Sequence, residues 1–175
     1  YRVIDFGFTN AFVCQWWAVD GDGRMYMYRE IYHTQRTVKT HSAAIQRFDE
    51  QIQQTVCDHD AEDRATLYEN GITNIAANKA VSVGIERVIE RLSIAGDEKP
   101  RIFILRDSVV EIDQSLVDAK KPWCTEQEFA DYVWSNKANK EAPVKENDHG
   151  MDALRYIVAH LDSGLPTGAG LVDFG

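Results

Sequence analysis

One short segment concentrates residues that could do chemistry: it reads KENDHGMDALRY and runs over residues 145–156. Asp148 and His149 come directly before an apolar pattern typical of a helix, and Asp152 lies inside that pattern. Residues three apart share a helix face, so His149 and Asp152 can reach the same point. Carboxylate oxygens bind hard divalent cations, and an imidazole can bind a metal or carry a proton. The segment therefore predicts one wall of a metal site.

Further acidic residues follow short apolar segments that are typical of buried strands. Asp5 ends the first such segment, Asp58 ends the fourth, and Asp60 lies two residues later as an alternative to Asp58. Carboxylates gathered at one point repel each other unless a cation lies among them. Two Mg²⁺ or Mn²⁺ ions about 4 Å apart can activate a water and stabilise the leaving oxygen of a phosphodiester. We therefore predict that these acids meet Asp152 and His149 at a metal pair.

Each acid also has an ordinary structural explanation. An aspartate at the end of a strand is commonly a turn residue. Asp148 is as well suited to cap a helix as to bind a metal. The acidic run over residues 58–63 is favoured at a helix N-terminus by the helix dipole. The metal-site prediction therefore depends on the joint placement of the acids and not on any one of them.

The elements that must position these acids form an α/β domain. Three apolar and aromatic strands open the chain, with a hairpin expected at Gly21–Gly23. Helices then alternate with short strands; Ser42 is expected to cap the first helix, and residues 108–123 fit either a hairpin or an irregular loop. This order predicts a mixed central β-sheet, antiparallel at first and parallel afterwards, flanked by helices. We expect one domain over residues 1–162 and a flexible C-terminal tail over residues 163–175.

Composition narrows the function classes. The 175 residues are 44% hydrophobic, enough for a core, and no apolar run approaches the ~20 residues of a membrane span. The net charge of −9 argues against nonspecific adhesion to nucleic acid through a basic surface. It is compatible with a nuclease, because bound metals reverse the local field. The three cysteines are far apart and predict reduced thiols. The chain opens with Tyr1 and a strand pattern, so we expect a piece of a larger protein.

Four segments in order carry a family resemblance: VIDFGFTN, CDHDAEDRATL, NKAVSVGIERVIERL and DHGMDALRY. Together they resemble the C-terminal nuclease domain of the terminase large subunit of tailed bacteriophages, over roughly residues 1–162. The resemblance implies a ribonuclease H-like fold. It also implies a metal-dependent endonuclease that cuts concatemeric double-stranded viral DNA during genome packaging, by two-metal hydrolysis with Mg²⁺ or Mn²⁺. The metal-binding acids of that family match Asp5, Asp58 and Asp152, and His149 matches a metal-site neighbour in some members. Asp58 is preferred over Asp60 because the apolar residues 55–57 place it at a strand end, although both could face the metals.

The same resemblance implies partners. They are double-stranded DNA, an upstream ATPase domain of the same polypeptide, a portal protein and a small terminase subunit, all in the host cell cytoplasm and without a membrane. No G-x-x-x-x-G-K-[ST] phosphate loop occurs in this sequence, so we expect no ATP hydrolysis from it. Candidate phosphate contacts are Arg36, Lys39, Lys79, Lys120, Lys121, Lys137, Lys140 and Lys145. Lys79 and Lys145 are favoured because helix N-termini and loops beside the site are where a phosphate would pass.

Three other functions stay open. The segment DFGFT also fits the phosphate loop of actin-like kinases and ATPases, although no second such element follows it. Another ribonuclease H-like nuclease, such as a transposase or a junction resolvase, would use the same acids on a different DNA substrate. A noncatalytic docking module would use the acids only for solubility.

Overall fold

A six-stranded mixed sheet forms the centre of the chain in the residues that the computed structural model describes, which are 1–78, 81–133 and 146–163. The strands, in chain order, are β1 (Arg2–Asp5), β2 (Phe12–Val19), β3 (Met25–His33), β4 (Thr55–Cys57), β5 (Ile75–Ala76) and β6 (Ile102–Ile104). Their order across the sheet is β5-β4-β1-β2-β3-β6. The first three strands pair antiparallel, and the last three join them in parallel. The predicted mixed sheet is therefore confirmed.

Six helices within the described ranges flank this sheet. They are α1 (Val38–Gln46), α2 (Ala61–Glu69), α3 (Val81–Leu92), α4 (Gln114–Asp118), α5 (Thr125–Glu128) and α6 (His149–Asp162). None of them is long and apolar enough to cross a lipid bilayer. The predicted tail lies outside the described residues, apart from its first residue, Ser163.

Two apolar cores lie on the two faces of the sheet. Successive side chains of a strand point to opposite faces, so Val3 and Ile4 of β1 belong to different cores. Val3 packs in the core that contains Val88 of α3 and Leu154 of α6. Ile4 packs in the core that contains Ile45 of α1. Because α6 contacts β1, β2 and β4, the sheet positions this helix.

Two local predictions are wrong, and in both cases a side-chain cap explains the difference. Thr37, not Ser42, caps α1, and its side chain accepts a hydrogen bond from the first turn. Ser42 is buried inside the helix and donates to the carbonyl of Val38 at 2.8 Å.

Residues 108–123 form neither a hairpin nor an irregular loop throughout, because α4 begins there. Asp113 caps α4 by accepting from the amide of Ser115 at 3.0 Å.

Candidate active site

The ends of two neighbouring strands bring two of the predicted acids to one edge of the sheet. β1 and β4 run parallel, with Ile4 opposite Cys57. Asp5 is the last residue of β1, and Asp58 directly follows β4. The amide of Asp58 donates to the carbonyl of Ile4 at 2.9 Å, which extends the strand pairing to the acids themselves. The sheet therefore holds both carboxylates side by side.

The first turn of α6 supplies the other predicted residues. His149 is the first residue of this helix, and Asp152, which is buried, lies three residues later. Both residues line one open cavity of about 390 Å³ together with Asp5 and Asp58. His149 Nδ1 lies 3.0 Å from Asp5 Oδ2. Residues that are distant in the sequence thus meet at one place in the fold.

Two further side chains of α6 contact these acids and were missed by sequence reasoning. Arg155 Nη2 lies 2.9 Å from Asp152 Oδ1, and the Tyr156 hydroxyl donates to Asp58 Oδ1 at 3.4 Å. The signal was present in the segment ALRY, because residues three and four positions after Asp152 lie on the same helix face. The first two turns of α6 therefore present an imidazole, a guanidinium and a phenol to the acids.

Burial is the main influence on the pKa values in the cavity, and neighbouring charges add to it or oppose it. Burial raises the pKa of Asp5 to about 6, and the nearby charges of Asp152 and Asp58 push it in the same direction. The hydrogen bond from His149 opposes that rise without cancelling it. Burial lowers the pKa of His149, but the hydrogen bond and the charge of Asp5 outweigh burial and hold it above its usual value. The protein therefore disfavours the charge on Asp5 and favours the charge on His149, whose polar atoms lie 3.0 Å apart.

A divalent cation suits the chemistry of this cavity. Within the described ranges, no group of three or more His, Cys, Asp and Glu side chains stands in an arrangement that could hold a metal ion. One oxygen of each acid instead contacts an α6 side chain: His149 for Asp5, Arg155 for Asp152, and Tyr156 for Asp58. The donor set nevertheless fits Mg²⁺ or Mn²⁺, because these ions favour oxygen ligands and the three carboxylates line one cavity. Asp5, Asp58 and Asp152, with His149 beside them, are the residues that would hold it.

The alternative acid, Asp60, lies elsewhere. It is exposed and caps α2, accepting from the amides of Glu62 and Asp63 at 3.0 Å each. Asp60 is not among the residues that line the acidic cavity. Asp148 occupies the N-cap position of α6 and is buried in the cavity wall, where its carbonyl accepts from the amide of Asp152 at 2.7 Å.

A second groove adjoins the acidic cavity and contains two of the predicted phosphate contacts. Arg36 and Lys39 line it together with Phe6 and Phe8, and Phe6 lines both cavities. Lys39 is exposed, whereas Arg36 makes a two-pronged ion pair with Glu111 at 2.8 and 2.9 Å. Half of Phe8 is exposed at the groove, a feature that sequence reasoning missed.

The remaining basic candidates are not near this groove or are not described. Lys120 and Lys121 are exposed in the connection between α4 and α5 and line neither cavity. Lys79, Lys137, Lys140 and Lys145 lie outside the described residues.

The sheet order and the acids on adjacent strand ends define a ribonuclease H-like domain. The solved structures that match it are phage large terminases and their nuclease domains, which confirms the resemblance predicted from the sequence. The large terminase of a thermophilic bacteriophage matches with a TM-score of 0.71 and 27% identity, over 92% of this chain and 39% of that one. The chain thus spans well under half the length of that terminase.

Two isolated nuclease domains match as well. The P22 large terminase nuclease domain has a TM-score of 0.66 and 16% identity, over 91% of this chain and 79% of that one. The large terminase nuclease domain of bacteriophage SPP1, solved with bound Mn, has a TM-score of 0.64 and 20% identity, over 93% of this chain and 85% of that one. At these identities the two matches establish the shared fold. No protein-family model matches the sequence, and no curated protein does.

Proposed function

We propose that this domain is a metal-dependent endonuclease that cuts double-stranded DNA during phage genome packaging. The observation that carries the proposal is the meeting of Asp5, Asp58 and Asp152 in one cavity at the carboxyl edge of the sheet. Structural similarity to terminase nuclease domains, one of them solved with bound Mn, supports it.

The residues of the cavity divide the work of hydrolysis. Asp5, Asp58 and Asp152 would hold two Mg²⁺ or Mn²⁺ ions, and such ions would supply activation of a water and stabilisation of the leaving oxygen of the phosphodiester. His149 orients Asp5 through its hydrogen bond and can take or return a proton. Tyr156 and Arg155 orient Asp58 and Asp152. Burial of Asp5 and Asp152 strengthens these contacts by excluding water.

The neighbouring groove gives the DNA backbone a path to the acids. Lys39 and Arg36 contact phosphates, which positions a duplex without reading its sequence. Phe8, half exposed beside them, packs against a sugar or a base. Because Phe6 belongs to both cavities, a strand held in the groove reaches the acids directly.

The wider setting follows from the same proposal. In a full-length terminase this domain would act beside an ATPase domain of the same polypeptide, with a portal protein and a small terminase subunit as partners. The reaction takes place in the host cytoplasm.

The test is cleavage of supercoiled plasmid by the purified domain. We expect nicking and cutting with Mn²⁺ or Mg²⁺, and none when EDTA removes the metal. Asp58→Asn should lower the rate by at least about 100-fold, because it removes one charged oxygen ligand. Asp60→Asn is the matched control: it lies two residues away, lines no part of the cavity, and keeps a good helix cap. Equal activity of the two variants would refute the role given to Asp58.

The choice of DNA separates this proposal from its rivals. A junction resolvase would prefer branched DNA, whereas the proposed enzyme cuts linear and circular duplexes. A docking module would cut nothing and would lose no function in Asp58→Asn. Nucleotide binding by the domain would instead favour the actin-like alternative.

A further inference from the structure

A buried polar contact behind the acidic cavity joins the sheet to the first turn of α6. The side chain of Glu128, in α5, is fully buried. One of its oxygens accepts from the amide of Met151 at 2.8 Å, and the other accepts from the hydroxyl of Tyr32, in β3, at 2.6 Å. Met151 lies between His149 and Asp152. The Glu128 carboxylate therefore holds the turn that carries two of the site residues.

The position of this carboxylate is that of a helix cap supplied by another element. The first amides of an α-helix have no acceptor within the helix, and the helix dipole favours negative charge beside them. Glu128 supplies such an acceptor at the N-terminus of α6. It does not line the acidic cavity; it reaches the site through the backbone of this turn and through its charge, which acts on His149.

A second contact fastens the same turn from β2. Gln15 Nε2 donates to the carbonyl of Gly150 at 2.9 Å and to Thr125 Oγ1 at 2.7 Å. A Cβ atom on Gly150 would lie only 2.2 Å from Thr125 Oγ1. The glycine thus lets the turn approach α5 closely enough for Glu128 to reach the amide of Met151.

We propose that Glu128 is a positioning residue for the acidic site: its hydrogen bonds fix the first turn of α6 so that His149 and Asp152 face Asp5 and Asp58. In what it says about metal binding, the inference rests on the proposed function. Tyr32 shares the task, because its hydroxyl fixes the orientation of the carboxylate.

The test compares Glu128→Ala with Glu128→Gln in two measurements. The first is Mn²⁺ affinity by titration calorimetry, and the second is amide hydrogen exchange over residues 150–152 without metal. In Glu128→Ala we expect Mn²⁺ affinity to fall about tenfold and exchange in this turn to quicken. Glu128→Gln keeps an oxygen that accepts from the amide of Met151, so it should keep most of the Mn²⁺ affinity and most of the protection from exchange. Unchanged affinity and exchange in Glu128→Ala would overturn the inference.

Two controls separate positioning from general stability. Ile45→Ala removes a fully buried side chain from the core on the other face of the sheet. It should lower the melting temperature at least as much as Glu128→Ala while leaving Mn²⁺ affinity unchanged; a fall in Mn²⁺ affinity matching that of Glu128→Ala would refute positioning.

Tyr32→Phe serves if Glu128→Ala does not fold. We expect it to weaken Mn²⁺ binding about threefold and to speed exchange over residues 150–152, and no change in either would count against the inference.

The two proposals can fail separately. If the unaltered domain binds no Mn²⁺ and cuts no DNA, the proposed function is wrong. Hydrogen exchange in the Glu128 variants still decides whether this residue fixes the turn, because that measurement needs neither metal nor DNA.

Discussion

Two groups of acids lie at opposite ends of the sheet and differ in what surrounds them. The acidic cavity lies where β1 ends, at Asp5. The other group, which we term the hairpin ion cluster, lies at the turn between β2 and β3 and consists of Asp20, Asp22, Arg24, Asp97 and Arg101. In the hairpin ion cluster every acid has an arginine within 3.3 Å. In the acidic cavity Asp5 has the imidazole of His149 and the charges of two other acids.

The pKa values of one residue type move in opposite directions in the two groups. Hydrogen bonds from Arg101 and Arg24 hold the pKa of Asp97 well below its usual value. Burial and neighbouring acids raise the pKa of Asp5 to about 6. The fold therefore favours the charge on Asp97 and disfavours the charge on Asp5. A carboxylate kept where its charge costs stability marks a functional site more strongly than one inside an ion pair.

The largest expected effect is that matched substitutions in the two groups change DNA cleavage and melting temperature in opposite ways. Asp5→Asn should lower DNA cleavage by at least about 100-fold, because it removes a proposed metal ligand. In EDTA the same variant should melt at a higher temperature than the unaltered domain, since it relieves repulsion. Asp97→Asn should keep full cleavage and melt at a lower temperature, since Arg101 loses its ion pair and Arg24 loses one of three. Plasmid cleavage and thermal melting check both; equal activity of Asp5→Asn and Asp97→Asn would break the comparison.

Asp5 and Asp97 should also differ in how their contributions to stability change with pH. The native pKa of Asp5 is raised from 3.8 to about 6, so the native state binds the extra proton and stability is lost as pH rises across that window. The gain in free energy of unfolding that Asp5→Asn brings should therefore grow from pH 4 to pH 7, where it reaches on the order of 2 kcal/mol. Asp97, with a lowered pKa, stabilises the fold above its usual pKa, and that contribution disappears as pH falls. A difference between Asp5→Asn and the unaltered domain that is constant with pH would contradict this.

A smaller effect is expected from one methyl group placed in each region. Gly150→Ala puts a Cβ 2.9 Å from the Thr125 Cα and even nearer its hydroxyl, so α6 must shift. Overpacking of this kind costs about 1–3 kcal/mol, and the shift should lower cleavage about tenfold. A Cβ at Gly96, beside Asp97, meets nothing within 4 Å, so Gly96→Ala should change neither stability nor cleavage. Chemical denaturation and plasmid cleavage measure the two effects; wild-type cleavage by Gly150→Ala would show that the close approach is dispensable.

Much of the fold could be predicted from the sequence because local patterns determine it. Apolar runs ending in Asp5 and before Asp58 predicted β1 and β4, and the glycines around Asp22 predicted the hairpin. The cap of α1 was misplaced because Thr37 and Ser42 are both good capping residues, and only the tertiary structure decides between them. Local propensity sets the elements, and packing sets their ends.

The site was predictable only in part, for a physical reason. The acids lie at strand ends and on one helix face, positions that the periodicity of the sequence reveals. The contact of Arg155 with Asp152 follows from helical spacing and could have been found. The contact of Glu128 with Met151 could not, because it joins elements whose relative placement depends on the whole sheet. The apolar run before Asp58 favoured it over Asp60, but only the fold shows that Asp60 caps α2 and lies outside the cavity.

The smallest expected effect concerns DNA binding and contrasts two cations of equal charge. Lys39 is exposed in the groove beside the acidic cavity, whereas Arg101 is paired with Asp97 in the hairpin ion cluster. In an Asp5→Asn background, which prevents cutting, Lys39→Ala should weaken duplex binding a few-fold and reduce the slope of log K against log salt by about one. Arg101→Ala changes the net charge equally but should leave that slope unchanged. Fluorescence anisotropy between 50 and 200 mM salt measures both; equal slopes would mean that overall charge, and not the groove, governs binding.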